Sequence, residues 1–256
     1  GTKPEEHLPP GAVAMVCNKL ISSLSSHADT QPERITELGT AIRRESYRFL
    51  MRSKLIQIAQ GQGIRSHAFY EAVRGGHVLS NNPFGRQVEQ WFHEQSFAQA
   101  ISEAVQFVGE RLIESYERRT DLWRMTLLGS GSVAEVFDRV GQLGAPDDLK
   151  ITCVNDHIEA LSAAGKAAEQ LDMSDQLSLV RQNVLVRGMA RSRLRLVEQD
   201  FIVYQALTIP VSDDAFLDLL DEVHALLAEG GVFLLGQLHI PEDEHRFMEH
   251  VLDMPI

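Results

Sequence analysis

The sequence is poor in the features that tie a chain to a membrane, a nucleic acid or a cross-linked scaffold. Only two of its 256 residues are cysteine, Cys17 and Cys153, each in an apolar setting. Two distant cysteines exclude a disulfide framework and any Cys-x-x-Cys motif, and they fit a reducing, cytoplasmic compartment. No stretch approaches about 18 consecutive apolar residues, so no membrane-spanning helix is expected. No charged-then-apolar leader opens the chain, and its first residues, Gly1-Thr2-Lys3-Pro4, read as a trimmed end. Positive charge is also scarce, with 24 Lys and Arg against 36 Asp and Glu and a formal net charge of −12. That leaves no basic footprint for a phosphate backbone or an anionic membrane, and points to a small-molecule substrate. One local basic run, Arg181, Arg187, Arg191, Arg193 and Arg195, reads as a solvated stretch around a strand and loop. Gly-x-Ser-x-Gly and Gly-x-x-x-x-Gly-Lys are both missing, which removes α/β-hydrolase and P-loop chemistry.

What is present is apolar residue in quantity, 44% of the chain, enough for one large domain or two small ones. Its patterning changes near residue 120. Before that point helical periodicity dominates: an apolar-rich stretch at 13–24, one helical repeat over 35–59, and another over 88–116. Residues 61–85, rich in glycine and containing Asn81-Asn82-Pro83, predict a long loop between them. Residues 1–118 are therefore expected to form a helical cap.

After residue 120 short buried-strand runs alternate with helices. Strands are expected at 125–128, 151–154, 177–180, 201–204 and 232–238, with a helix starting at Ser212 or Asp213 and ending at Gly230-Gly231. This alternation predicts an α/β domain over 119–256, a Rossmann-like, mostly parallel sheet with helices on both faces. Only one helix follows the fifth strand, which leaves that sheet edge open, truncated, or covered by a partner, as in a homo-oligomer.

Candidate chemistry starts at the first strand-to-helix turn, Gly129-Ser130-Gly131, followed by Glu135. Glycines there let backbone amides approach a ligand, and the helix start adds partial positive charge. The pattern also fits the dinucleotide fingerprint, so a nicotinamide enzyme competes. About 20 residues on, the second strand ends in Asn155-Asp156, where a doubly wound fold presents a ribose-binding group. Asn183, in the next loop, suits the adenine edge. The long helix running through Gly230-Gly231 into a strand favours S-adenosylmethionine over NAD as cofactor.

From about residue 181 to 255 the chain resembles bacterial class I methyltransferases related to the 3-hydroxy fatty acid methyl ester synthases. The stretches that carry this include Gln182-Asn183-Val184-Leu185, Gln199-Asp200-Phe201-Ile202, Gly230-Gly231 and Phe247-Met248-Glu249-His250-Val251-Leu252-Asp253. A looser match runs back through Asn82-Pro83-Phe84-Gly85. The resemblance implies that Gly129, Ser130 and Gly131 face the methionine part of the cofactor and that Glu135 closes the loop. It also implies that Asn155, with Asp156, meets the ribose, and Asn183 the adenine side. Tyr204, Gln205 and His239, at the ends of the fourth and fifth strands, would be the catalytic candidates.

The departures are as informative. The family usually reads Gly-Leu-x-Asp-Tyr-Leu after strand four, whereas this chain reads Ala206-Leu207-Thr208-Ile209-Pro210-Val211. Its upstream Gly-Tyr-Ala-Gly-Asp is replaced by Arg65-Ser66-His67-Ala68-Phe69. With the substrate side rewritten, two reactions are open. One is methyl transfer to an oxygen of a small or acyl substrate. The other attacks the aminocarboxypropyl carbon, as when the cofactor cyclises to azetidine-2-carboxylate and methylthioadenosine in a biosynthetic enzyme. A non-catalytic module that senses the cofactor is a third class. His245, Glu249 and His250 recur at helical spacing, but such residues on a terminal helix are ordinarily solvated, and no metal is expected.

Overall fold

A computed structural model describes residues 9–64, 66–119, 121–129, 133–184, 196, 198–206 and 212–254, with backbone alone at 134, 205 and 206. Contacts divide the chain into two compact units, residues 1–102 with 238–256, and residues 103–237. The seam falls inside one helix, and the C-terminal residues return to the first unit.

The first unit is helical. It holds α1 (Ala12–Thr30), α2 (Ile35–Leu50), α3 (Lys54–Gln62), α4 (His67–Arg74), α5 (Pro83–His93) and the start of α6 (Ser96–Glu117). The repeat over 35–59, read as one helical stretch, is broken at 51–53, where Ser53 caps α3 by accepting the Ile56 N–H. Nor is 61–85 a long loop. Ser66 accepts the Phe69 N–H to start α4, and Asn82 accepts the Gly85 N–H beside Pro83 to start α5. The glycines of this stretch therefore punctuate helices: Gly63, at φ +86°, ends α3, and Gly76, at φ +59°, follows α4.

Phe69, Trp91, Phe92 and Phe97 are each no more than 2% exposed and stack in a tilted or edge-on cluster. Each buried ring of this kind contributes roughly 1.5–3 kcal/mol. The returning C-terminal helix adds Phe247, whose ring centroid lies 5.5 Å from that of Trp91. Glu244 of the same helix accepts the N–H groups of Ser96 and Phe97 at 3.1 and 3.3 Å, so it caps α6.

The second unit is a five-stranded sheet in the order β3-β2-β1-β4-β5, with every neighbouring pair parallel. Its strands are β1 (Trp123–Leu128), β2 (Leu149–Asn155), β3 (Leu177–Arg181), β4 (Gln199–Ala206) and β5 (Leu227–Gln237). Between them run α7 (Ala134–Gln142), α8 (Ile158–Gln170) and α9 (Asp213–Leu226), while α10 (Glu242–His250) is the returning helix of the first unit. This is the expected Rossmann-like architecture. Strand alternation sends Met125, Leu127, Ile151, Cys153, Phe201 and Val203 into one core, shared with α6, α7 and α8. Leu128, Val154, Ile202 and Tyr204 go into the opposite core with Leu219, Val223 and Leu226 of α9. One polar pair lies within the sheet: the Thr126 hydroxyl donates to Gln199 Oε1 at 2.7 Å.

Gly230 and Gly231 do not end α9. That helix stops at Leu226, and both glycines lie within β5. Leu227 pairs with Gln199 and Val232 with Phe201, so residues 228–231 bulge out of the ladder. Gly230 takes φ +76°, and a Cβ on Gly231 would lie 2.7 Å from the Gln199 carbonyl oxygen. The backbone of the bulge thus requires both glycines. Among the described residues, no helix is long and apolar enough to cross a membrane.

Candidate functional site

Parallel strands all end on one edge of the sheet, and the polar candidates of the second unit collect there. Leu128, the last residue of β1, pairs with Val154 of β2 on one side and Tyr204 of β4 on the other. The next residue, Gly129, donates its N–H to the Val154 carbonyl at 2.8 Å and then turns with φ +58°. That left-handed conformation and local crowding both call for glycine. A Cβ there would lie 3.2 Å from both Tyr204 Cε2 and Val184 Cγ2. The Tyr204 ring, 1% exposed, is therefore the floor beneath the start of the turn. Ser130 and Gly131 lie outside the described residues.

Glu135 stands in the first turn of α7 and is buried, where a carboxylate benefits from the helix dipole and the first-turn amides. Asn155 closes β2 and is also buried. Its Oδ1 accepts the His157 N–H at 2.8 Å, which turns the chain sharply into α8. Its carbonyl accepts the Gln182 N–H at 3.0 Å, and Arg181 Nε donates to the Asp156 carbonyl at 3.4 Å. These two bonds lace the end of β2 to the end of β3. They bring Asn155, Asp156 and Asn183 to one edge, with Asp156 and Asn183 exposed. His157 Nε2 stands 3.6 Å from the Asp156 carboxylate.

Gln205 follows Tyr204 in β4 and pairs with Gly236 of β5. His239 does not end the fifth strand: β5 stops at Gln237, and His239 is an exposed residue of the segment grouped with the helical unit. His245 and His250 stand 3.8 and 3.9 Å from the Glu249 carboxylate, and no three-residue metal cluster occurs among the described residues.

Val184 carries no chemical signal in the sequence, yet its methyl group and the Tyr204 ring together fix the path of Gly129. Nothing local to residue 184 marks it, because the contact joins chain segments more than 50 residues apart.

No protein-family model matches the chain, and no curated protein matches it. Among solved structures, a "possible exported protein" from Bordetella parapertussis aligns over 99% of this chain and 86% of its own, at 15% identity and TM-score 0.59. Two methyltransferases align in part. One, an S-adenosylmethionine-dependent enzyme from Geobacter sulfurreducens in complex with S-adenosyl-L-homocysteine, covers 52% of this chain and 47% of its own, at 14% identity and TM-score 0.36. The other, geranyl diphosphate C-methyltransferase from Streptomyces coelicolor A3(2), covers 51% and 44%, at 14% identity and TM-score 0.39. The chain spans about half the length of these methyltransferases. At 15% identity the likeness to the Bordetella protein is one of fold.

Proposed function

We propose that this chain is an S-adenosylmethionine-dependent transferase that methylates an oxygen, carboxylate or hydroxyl, of a small or acyl substrate. The observation that carries this reading is the turn at Gly129. It leaves β1 in a left-handed conformation over Tyr204, at the strand-end edge where doubly wound sheets bind their ligands. Its neighbours suit the group: a buried acid opens the following helix at Glu135, and Asn155 and Asp156 stand together at the end of β2. Glu135 would fix the turn, Asn155 and Asp156 would hold the ribose hydroxyls, and Asn183 would lie on the adenine side. Tyr204 supports the turn from below, and Gln205 is the residue proposed to meet the acceptor.

The cofactor supplies a methyl carbon activated by the adjacent sulfonium. The chain's own residues therefore mainly align and exclude water. A carboxylate acceptor is ionised at neutral pH and needs no base, while a hydroxyl acceptor calls on one.

The test is equilibrium binding of S-adenosylmethionine by calorimetry, followed by incubation with and without a carboxylate acceptor and mass spectrometry of the nucleoside product. S-adenosylhomocysteine formed only with acceptor is the expected result. Methylthioadenosine formed without acceptor would replace methyl transfer with attack on the aminocarboxypropyl carbon. Binding without turnover would make the chain a sensor, and binding of NAD in place of the sulfonium compound would overturn the cofactor.

A further inference from the structure

We propose that Val184 is a positioning residue for the cofactor turn, carrying the placement of the segment after β3 across to Gly129. The inference rests on the cofactor reading above and goes beyond it, because it states how the two ends of one ligand are held in a fixed relation.

Backbone bonds lace the strand ends around the turn. Gly129 donates its N–H to the Val154 carbonyl at 2.8 Å, and Gln182 donates its own to the Asn155 carbonyl at 3.0 Å. The end of β2 therefore anchors both the start of the glycine turn and the segment that follows β3. Two side chains then meet the turn itself. Tyr204 Cε2 and Val184 Cγ2 each lie 3.2 Å from where a Gly129 Cβ would stand. A Cβ would be crowded there, so the turn runs directly against both side chains.

The two supports differ in what holds them. Tyr204 is a residue of β4 paired with Leu128, so the sheet fixes it. Val184 lies beyond the end of β3 at Arg181, directly after Asn183, the residue that the cofactor reading puts on the adenine side. Burial holds it, since Val184 is 7% exposed and shares one core with Leu128, Val154 and Ile202. A β-branched side chain is stiff at χ1, so it passes a backbone shift on to its methyl groups instead of absorbing it in a new rotamer. A ligand group that settles Asn183 therefore also settles Val184, and through it the path of Gly129. The adenosine end of the cofactor thus pre-orders the turn that meets the methionine end, which lowers the ordering cost of binding the whole.

Adenosine stops short of the turn and gains nothing from this link, so the two ligands separate positioning from a general loss of structure. The test is calorimetric titration of the full chain with S-adenosylmethionine and with adenosine, for wild type, Val184→Ala and Val184→Thr. Alanine removes both γ methyl groups. Threonine keeps two γ atoms in place but buries a hydroxyl, so it lowers stability without emptying the contact. Val184→Ala should weaken S-adenosylmethionine at least fivefold and adenosine less than twofold. Val184→Thr should stay within twofold of wild type for both. Hydrogen exchange at the Gly129 amide, followed without ligand, should quicken in Val184→Ala and not in Val184→Thr. Thermal melting checks that both variants remain folded.

Equal weakening of the two ligands in Val184→Ala would overturn the proposal, as would equal weakening of S-adenosylmethionine in the two variants. S-adenosylmethionine binding unchanged in Val184→Ala would overturn it as well. Each of these leaves the cofactor reading standing, because wild type still binds S-adenosylmethionine. A wild type that does not bind it overturns that reading and takes this inference down with it.

Discussion

Glu89 and Ser80 are joined twice inside the helical unit. One carboxylate oxygen of Glu89 accepts the Ser80 hydroxyl at 2.5 Å, and the other accepts the Ser80 N–H at 2.9 Å. The same carboxylate takes the Ser53 hydroxyl and the Leu55 N–H, both at 3.2 Å, and the Leu79 N–H at 2.6 Å. With Glu89 wholly buried, one side chain of α5 holds both the turn before α3 and the segment leading into α5. Burial pushes its carboxyl up, but the hydrogen bonds from Ser80, Leu55 and Leu79 outweigh that and hold it below its ordinary value. A carboxyl lowered in the folded state contributes stability that is complete above the ordinary carboxylate range and is lost as pH falls through the folded value. Glu89→Gln turns one acceptor into a donor among donors and should cost about 2–3 kcal/mol at pH 7. Urea unfolding at pH 7 and pH 4 checks this, because the gap between wild type and variant should narrow at the lower pH. A constant gap would show that the charge of Glu89 contributes nothing.

Gly129→Ala should damage the strand-end site twice over. A left-handed alanine costs roughly 1–2 kcal/mol, and its Cβ crowds Tyr204 and Val184 as well. A fall of at least tenfold in S-adenosylmethionine affinity is expected, with far-UV circular dichroism unchanged. Gly144→Ala is the control. It shares a positive φ, +82°, but its Cβ meets nothing within 4 Å, so it should lose stability without losing affinity.

Two glycines of the helical unit should respond with opposite signs. A Cβ on Gly39 of α2 would overlap the Cβ of His250 at the end of α10, so Gly39→Ala should cost about 1–3 kcal/mol by forcing those helices apart. A Cβ on Gly61, near the end of α3, meets nothing within 4 Å, and Gly61→Ala should gain about 0.5–1 kcal/mol from helix propensity. Chemical unfolding midpoints of the two variants on either side of wild type are the expected result.

The bulge of β5 makes a further demand. Gly231→Ala puts a Cβ against the Gln199 carbonyl and the Ala228 carbonyl, at 2.7 and 3.0 Å, both of them backbone. Neither atom can rotate away, so pairing of β4 with β5 should loosen. Hydrogen exchange of the Phe201 and Val203 amides should quicken relative to those of β1.

The central strands β1, β2 and β4 were legible because each buries a continuous apolar run, and that pattern needs no partner to be read; the edge strands β3 and β5 carry apolar residues that stay only partly buried. Ser212 was legible as a cap for the same local reason: its hydroxyl accepts the Ala215 N–H three residues on. Gly230-Gly231 misled because two glycines after an apolar helix also describe a helix end. Pairing of Leu227 with Gln199 is what made them a bulge, and pairing is not local. The strand itself stops at Gln237, so His239 lies two residues beyond its end.

In the helical half, glycine count misled more than pattern did. Residues 61–85 have the glycine content of a loop, yet Ser66 and Asn82 cap helices there. The unit's buried acid had no sequence signal at all, since Glu89 sits at a helix position where an exposed glutamate is the ordinary expectation.

The sequence by itself determined the alternation of strands and helices after residue 120, the parallel sheet and the glycine turn after β1, because these follow from local periodicity and backbone freedom. Tertiary structure alone decided which side chains those elements bring together. Tyr204 and Val184 under Gly129, Gln199 against Gly231, and α10 folded back beside α2 are all contacts between distant segments. Their geometry depends on packing in three dimensions, and no one-dimensional pattern encodes it.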